Sequence, residues 1–508
     1  MVIRPDKGYG AAGSIRLLAG IIAVISFLGC TGNVQYRKGD AAVESRNPTE
    51  GRPYDLAYVE FDEQGDFWDR DQLRRAVEVI HRTTKPLLVV YVHGWQNNAS
   101  PSTSDVPQFH DVLSKMADTP SINRLGYQVV GVYIGWRGKQ AYDPLLKILS
   151  FPTRKVAAAR LGSSNTITEA IFRLVYEARH RPGPSRTVLI GHSFGALVLE
   201  RAIEQAMTGG LLTNNPVVPA DFILLVNSAA ESIYTKEMRD MMVATLRFEK
   251  ARKCYSRPGE SDCAYKDEAR IISVTSKTDQ ATGLAFPIGA GIFNAGKLYR
   301  RYEPVKPGEK AQGQRQFFTT TPGHNKLLLD HEIASLKESV PNAHAATAFD
   351  ENLDNPQALE PTGNDAQATP IFATGGADIG PGKTTPWNWW RLNFTGDVDQ
   401  RSPFWVVKVP KEILNGHGDI FNPNAIDMMV ALFRLSNLLE PSGAPVPPIM
   451  IKSKPESTGQ SLVPATTAAS PTPLEEAPTA ATTQARKARP STKTPARLKL
   501  SKRRVVEE

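Results

Sequence analysis

The feature that most constrains this chain is the segment GHSFG at 191–195, which lies between a predicted strand and a predicted helix. Residues 186–190 form a short apolar, β-branched run of the kind found in buried parallel strands. The apolar residues after the segment recur at helical spacing: Ala196, Leu199, Ile203 and Met207. A strand, a tight turn and a helix around G-x-S-x-G present a serine hydroxyl at the start of the helix. We therefore predict that Ser193 is a nucleophile.

Strands and helices alternate through the middle of the chain. The predicted strands cover 56–61, 87–92, 127–134, 186–190, 222–226, 271–274 and 404–409, and the main predicted helices cover 70–82, 166–179 and 423–438. This alternation predicts an α/β fold with a mostly parallel central sheet and helices on both faces. A long insertion, about 284–400, precedes the last strand, and we expect its distal part, 341–388, to loop out.

The N-terminus has the composition of an export signal. Three basic residues precede an apolar run, 17–28, which is too short for a comfortable membrane span but suits a signal peptide. The run ends in FLGC at 27–30, which resembles a bacterial lipobox, so residues 1–30 are predicted as a signal peptide with Cys30 as the lipidated residue. A simple cleaved signal and an uncleaved anchor are the alternatives. Polar residues 31–52 then predict a flexible spacer.

The positive charge of the chain is concentrated at its C-terminal end. The formal net charge is +8, and residues 451–508 carry 11 Lys and Arg against 5 Asp and Glu. Because little net charge is left for the rest, we do not expect nucleic-acid binding. Residues 441–508 are rich in Pro, Thr and Ala, which predicts a disordered basic tail. The tail is either a solvated end or a contact for anionic components of the cell envelope.

The chain contains three cysteines. If Cys30 carries lipid, Cys254 and Cys263 remain, and exported proteins tolerate disulfides, so these two are a disulfide candidate. Two free thiols are the alternative. No His or further Cys lies nearby to complete a metal site.

A serine nucleophile needs N–H donors for the oxyanion that forms during attack. One donor follows the nucleophile, here Phe194, and the second comes from the loop after an earlier strand. Strand 87–92 ends in His93-Gly94-Trp95, so the backbone N–H of Trp95 is the predicted second donor. Removing such a donor typically costs ~3–4 kcal/mol of transition-state stabilisation.

The chain order of these motifs resembles the α/β-hydrolase superfamily. The segments YVHGW at 91–95 and GVYIGW at 131–136 look like those of its serine-hydrolase branches with lipase- and esterase-like cores. The resemblance covers about 54–438 and implies an α/β-hydrolase domain over 53–440. It departs from the esterases that carry His-Gly-Gly-Gly, because a single glycine precedes Trp95.

The resemblance places an acid and then a histidine after the serine. Asp279 follows strand 271–274 and is the predicted acid. Two histidines compete as the base. His324 has the more usual spacing, 45 residues after Asp279, whereas His417 follows the last strand and precedes the last helix, where the superfamily places its histidine. A long insertion adds little loop-closure entropy, which favours His417.

These residues predict a serine hydrolase of the bacterial cell envelope, held to the membrane by its N-terminal lipid. It would cleave carboxyl esters, either lipid or small acyl esters, through a covalent acyl-enzyme. No metal or organic cofactor is implied. A thioesterase, an amidase or an acyltransferase could use the same residues. A noncatalytic envelope-binding scaffold lipoprotein is the alternative from another class.

Overall fold

The computed structural model describes the middle of the chain with several gaps. The predicted signal peptide with Cys30, the tail 441–508 and the Cys254–Cys263 pairing lie outside the described residues. The described ranges are 32–46, 51–140, 144–212, 220–256, 269–293, 296–302, 312–336, 372–374, 378–380, 383–384, 388–395 and 402–435.

A mixed, mostly parallel sheet of eleven strands forms the centre of the described structure. Its strands in chain order are β1 (Val43–Arg46), β2 (Tyr54–Glu60), β3 (Pro86–Val92), β4 (Gln128–Gly135), β5 (Arg186–His192), β6 (Phe222–Val226), β7 (Ile271–Ser276), β8 (His331–Leu336), β9 (Phe372–Thr374), β10 (Asn388–Phe394) and β11 (Phe404–Val409). In space the order is β1-β2-β4-β3-β5-β6-β7-β11-β8-β10-β9. In this spatial order, each strand from β2 to β11 runs parallel to the next. The α/β class predicted from the alternating pattern is confirmed.

Helices pack on the sheet, and buried apolar side chains form two clusters. The helices are α1 (Arg70–Arg82), α2 (Asp105–Asp118), α3 (Pro120–Arg124), α4 (Pro144–Gly162), α5 (Asn165–Arg179), α6 (Phe194–Leu212), α7 (Ser232–Ser256), α8 (Phe286–Phe293), α9 (Arg315–Thr319) and α10 (Pro423–Leu435). One cluster includes side chains of α1, α5 and α6, and the other includes side chains of α2 and α10. Alternate residues of each central strand therefore face one cluster or the other. Within the described residues, no helix has both the length and the apolarity that crossing a bilayer requires.

Part of the predicted spacer 31–52 is instead an ordered edge of the sheet. Strand β1 pairs antiparallel with β2 over four residue pairs. Just before it, the backbone N–H groups of Tyr36 and Arg37 donate to the Glu60 carboxylate at the end of β2. Arg37 also donates to the Ala99 carbonyl and forms an ion pair with Glu44. The polar composition that predicted a spacer is explained by these buried ionic contacts, because charged groups enter a protein when they are paired.

The insertion before the last strand extends the sheet as well. Strand β8 pairs parallel with β11 on the side away from β7, and β10 and β9 continue the sheet in antiparallel pairs. His331 begins β8, where its ring is buried and stacks on Trp405 at 4.4 Å. Most of the distal part, 341–388, lies outside the described residues. The described part shows that β11 is an interior strand rather than the edge of the sheet.

Candidate active site

Ser193 occupies a strained turn between β5 and α6. Its φ is +55°, a left-handed backbone conformation that side chains other than Asn and Asp rarely adopt. The turn is held in place because the Ser193 N–H donates to the Val226 carbonyl at 3.0 Å. A Cβ atom at Gly195 would lie 2.0 Å from the Val92 carbonyl oxygen, so α6 approaches β3 more closely than any side chain permits.

Ser193, His417 and Asp279 are hydrogen-bonded in series. The Ser193 Oγ lies 2.8 Å from the His417 Nε2. The His417 Nδ1 lies 3.0 and 3.1 Å from the two carboxylate oxygens of Asp279. Asp279 and Ser193 are buried, while His417 is partly exposed. The predicted serine, acid and preferred histidine therefore lie together, in the geometry that lets a histidine accept the serine proton.

The Asp279 carboxylate is held in its ionised form. Burial by itself raises the pKa of Asp279, but hydrogen bonds from His417 and Thr282 outweigh it and bring the pKa below the usual value. Thr282 contributes both its backbone N–H, at 3.1 Å, and its hydroxyl. An ionised Asp279 accepts a hydrogen bond from the His417 Nδ1–H, which leaves the Nε2 lone pair facing the serine.

His417 lies in a loop between β11 and α10, and side chains from neighbouring strand ends hold that loop. The Asn227 amide donates to the carbonyls of Gly416 and His417, at 3.0 and 2.8 Å. The His192 Nε2–H donates to the same His417 carbonyl at 2.9 Å. Burial lowers the pKa of His192 to about 3, so this ring stays neutral and serves as a positioning group.

The loop after β3 comes close to Ser193. A Cβ atom at Gly94 would lie 2.8 Å from the Ser193 Cβ, so only glycine fits there. Gln96 has a φ of +77°, and its N–H donates to the Gly138 carbonyl. In the described part of the chain, the backbone N–H groups of Trp95 and Phe194 donate to no protein acceptor. Both predicted oxyanion donors are therefore available to a substrate oxygen.

His93 fixes this loop through its imidazole. The Nδ1–H donates to the Gly94 carbonyl at 2.9 Å, and the Nε2 accepts from the Trp136 N–H at 3.1 Å. The Trp136 indole N–H returns a bond to the His93 carbonyl, and the two rings stack with an interplanar angle of 4°. Burial lowers the pKa of His93 to about 4, so the ring is neutral. Its role is structural, because both nitrogens are occupied.

An aromatic wall borders the donors. The rings of Trp95 and Phe151 meet edge to face at 5.3 Å, and Phe151 packs on Phe194 at 5.1 Å. The Trp95 indole N–H donates to the Ser150 hydroxyl of α4. An apolar surface beside an oxyanion site suits the hydrocarbon part of an acyl group.

The alternative base His324 has other contacts. Its Nδ1 lies 3.2 Å from the Thr321 hydroxyl and 3.5 Å from that of Thr282. Burial, helped by the nearby Lys408 ammonium, lowers the pKa of His324 to about 4. Of these two histidines, it is His417 that contacts Ser193. His324 packs behind Asp279, since Thr282 lies between them.

Sequence reasoning missed Asn227 and Thr282, which hold the histidine loop and the acid. A signal was present, because Asn227 follows β6 directly and the carboxyl ends of parallel strands collect functional groups. Thr282 carries no such signal, since its contact depends on a π-helical turn over Ala281–Ala285.

No protein-family model matches this chain, and neither does any curated protein sequence. Among the described residues, no group of three or more His, Cys, Asp and Glu side chains is placed to hold a metal ion. The chemistry of the site is therefore argued from its own geometry.

Proposed function

We propose that this protein is a serine hydrolase with an α/β-hydrolase fold that cleaves carboxyl esters through an acyl-enzyme. The observation that carries the proposal is the unbroken series Ser193 Oγ, His417 Nε2, His417 Nδ1 and Asp279, with separations of 2.8 and 3.0 Å. Such a series lowers the barrier for serine attack because the proton has an acceptor whose new charge is stabilised.

The mechanism follows from the placement of each group. His417 removes the Ser193 proton as the oxygen attacks the ester carbonyl, and the Trp95 and Phe194 N–H groups receive the developing oxyanion. The protonated His417 then donates to the leaving alcohol. Water, deprotonated by His417, attacks the acyl-Ser193 ester and returns the enzyme to its starting state. Asp279 stays ionised and stabilises the imidazolium in both halves.

Esters are favoured over peptides by the aromatic wall of Trp95, Phe151 and Phe194, which offers apolar contact for an acyl chain. A thioesterase, an amidase or an acyltransferase would use the same acyl-enzyme and differ in the leaving group or the acceptor. A noncatalytic scaffold has no use for the series of hydrogen bonds, so nothing in the site favours it. The predicted lipid anchor at Cys30 would place this activity at the cell envelope.

A fluorophosphonate probe tests the proposal directly. The full chain is expected to become labelled and to hydrolyse p-nitrophenyl esters, whereas Ser193→Ala should lose both activities. Ser102→Ala, a change at an exposed loop serine, is the matched control and should behave as the parent. Equal labelling of the parent and Ser193→Ala, or labelling of neither, would contradict the assignment. Parallel thioester, anilide and alcohol-acceptor assays rank the alternatives.

A further inference from the structure

Exposed apolar side chains follow the catalytic carboxylate along the chain. The π-helical turn Ala281–Ala285 leads into α8, which contains no charged residue. Leu284 is 61% exposed and Ile288 is 57% exposed, while Phe286 and Ala290 are buried. The element thus packs one apolar face on the protein and leaves a second apolar face open.

A further exposed apolar side chain follows α8 in the chain. Leu298 is 99% exposed and lies next to the exposed Lys297. The large apolar side chains that are most exposed in the described residues are Val34, Val156, Tyr176, Leu284, Ile288 and Leu298, so half of them fall within 284–298. Leu284 and Ile288 are four residues apart in consecutive helical turns, so their side chains lie on one face, and an exposed apolar face marks an interaction surface. We call Leu284 and Ile288 the apolar patch.

The apolar patch borders the candidate active site. Thr282, in the same π-helical turn as Leu284, donates two hydrogen bonds to Asp279. Asp279 follows β7, so the patch begins at the carboxyl edge of the sheet, on the β7 side of Ser193.

The start of the described chain lies at the same carboxyl edge of the sheet, but on the β2 side of Ser193. Residues 32–34 line a small cavity together with Glu60 at the end of β2 and Trp136 just after β4. Cys30 is two residues before Gly32, and two residues span at most about 7 Å. A lipid on Cys30 would therefore be attached within about 7 Å of Gly32.

The sheet order sets the two features on either side of the nucleophile. From β2 to β7 the strands run β2-β4-β3-β5-β6-β7, with Ser193 at the end of β5. Adjacent strands are about 4.8 Å apart, so five spacings separate β2 from β7 by roughly 24 Å along the sheet. The two features therefore lie at the same edge of the sheet, with Ser193 between them.

We propose that the apolar patch docks on a lipid bilayer, and that the enzyme takes an acyl lipid from that bilayer as its substrate. The bilayer is favoured as the occupant because the attachment point and the patch share one edge. The substrate part of this inference rests on the proposed hydrolase function, while the docking part rests on the surface alone.

Hydrogen–deuterium exchange of the full chain tests the docking without any assay of turnover. Vesicles of equal parts phosphatidylethanolamine and phosphatidylglycerol are added, and protein that floats with them is compared with free protein. Backbone amides over 281–293 are expected to exchange several-fold more slowly on the vesicles, and those of α5, 165–179, at an unchanged rate. Failure to float, or floating protein with unchanged exchange over 281–293, would overturn the docking.

A pair of variants tests the substrate. Leu284→Asp with Ile288→Asp should reduce hydrolysis of a long-chain ester embedded in those vesicles at least tenfold, while turnover of a soluble short-chain ester changes less than about threefold. Tyr176→Asp is the matched control, because this exposed side chain lies near the end of α5 that leads into the amino end of β5. Parent-like hydrolysis of the embedded ester by the double variant would overturn the proposal. A parent that hydrolyses neither ester would refute the proposed function and leave the exchange result to decide the docking.

Discussion

Ser193 and His417 are positioned in two different ways. Ser193 is placed by backbone geometry within β5, a strained turn and α6, all adjacent in the chain. His417 lies outside helices and strands, and its loop is held by side-chain donors from distant strand ends, chiefly Asn227 and His192. The turn should therefore be sensitive to added volume, and the loop should be sensitive to lost donors.

The largest difference in folding and activity is expected between alanine substitutions at two glycines. In Gly195→Ala the new methyl would lie 2.0 Å from a backbone oxygen of β3, so the turn must move or the protein must fail to fold. In Gly418→Ala, next to His417, nothing lies within 4 Å of the new methyl. We expect Gly195→Ala to lose soluble protein or ester hydrolysis entirely, and Gly418→Ala to keep both. Equal melting temperatures and equal activities of the two would break the comparison.

Alanine substitutions at His417 and His324 should differ in kcat by orders of magnitude. His417→Ala removes the base, and we expect kcat to fall by ~10⁴-fold or more, as for loss of other triad members. His324→Ala should change kcat less than about threefold, because its contacts are with Thr321 and Thr282. Initial rates with a saturating chromogenic ester measure both. A large loss in His324→Ala with an active His417→Ala would show that the base is assigned to the wrong residue.

Removing a donor that holds the histidine loop should have an intermediate effect on kcat. Asn227 has a φ of +47°, so Asn227→Gly keeps the backbone conformation and removes the amide. Losing the two hydrogen bonds to the histidine loop should lower kcat about 10- to 100-fold, since each bond contributes on the order of 1 kcal/mol. The variant also loses the bond that the Asn227 Oδ1 accepts from the Ser276 N–H. Fluorophosphonate labelling rates would follow the same decline. If Asn227→Gly labels and turns over as the parent does, the loop is held by other groups.

The smallest effect on activity is expected from replacing Glu200. This residue lies in α6, after the serine turn, and its carboxyl contacts Ser228, the residue after Asn227. The buried Glu200 carboxyl accepts a bond from the Ser228 hydroxyl at 2.8 Å, and burial raises its pKa to about 8. The folded state therefore binds a proton that the unfolded chain releases above about pH 4.5, and stability falls as the pH rises from about 5 to about 8. Glu200→Gln stays neutral, so its melting temperature should depend less on pH while kcat changes little. Parallel pH curves for parent and variant would contradict this origin.

Much of the central fold could be predicted because its elements carry strong local patterns. The predicted bounds of helix 70–82 and strands 222–226 and 404–409 agree with those of α1, β6 and β11. The sequence places Ser193, Asp279 and His417 in the segments after three strands of the parallel sheet, and the structure brings these side chains together, while their catalytic roles stay predictions. Buried parallel strands read as continuous apolar runs, which makes them visible without an alignment.

The edges of the sheet could not be predicted for a physical reason. Strand β1 reads VESR and β8 reads HEIASL, and their polar side chains are satisfied by contacts made only in the fold, such as Glu44 with Arg37. Edge and outer strands bury less apolar surface, so charge in the sequence hides them. The positioning groups Asn227 and Thr282 were missed because their partners are set by tertiary structure.

The insertion between β7 and β11 delays the point during synthesis at which Ser193 and His417 can meet. Ser193 and His417 are 224 residues apart in the chain, and the strand that leads to the histidine loop needs β8 as well as β7 as its neighbours. Contacts of such long range form late in folding, after the serine turn and the acid have been synthesised. A chain that has emerged only as far as β8 holds a serine without its base. Under the proposed function, hydrolysis would begin only when nearly the whole domain has been synthesised and folded.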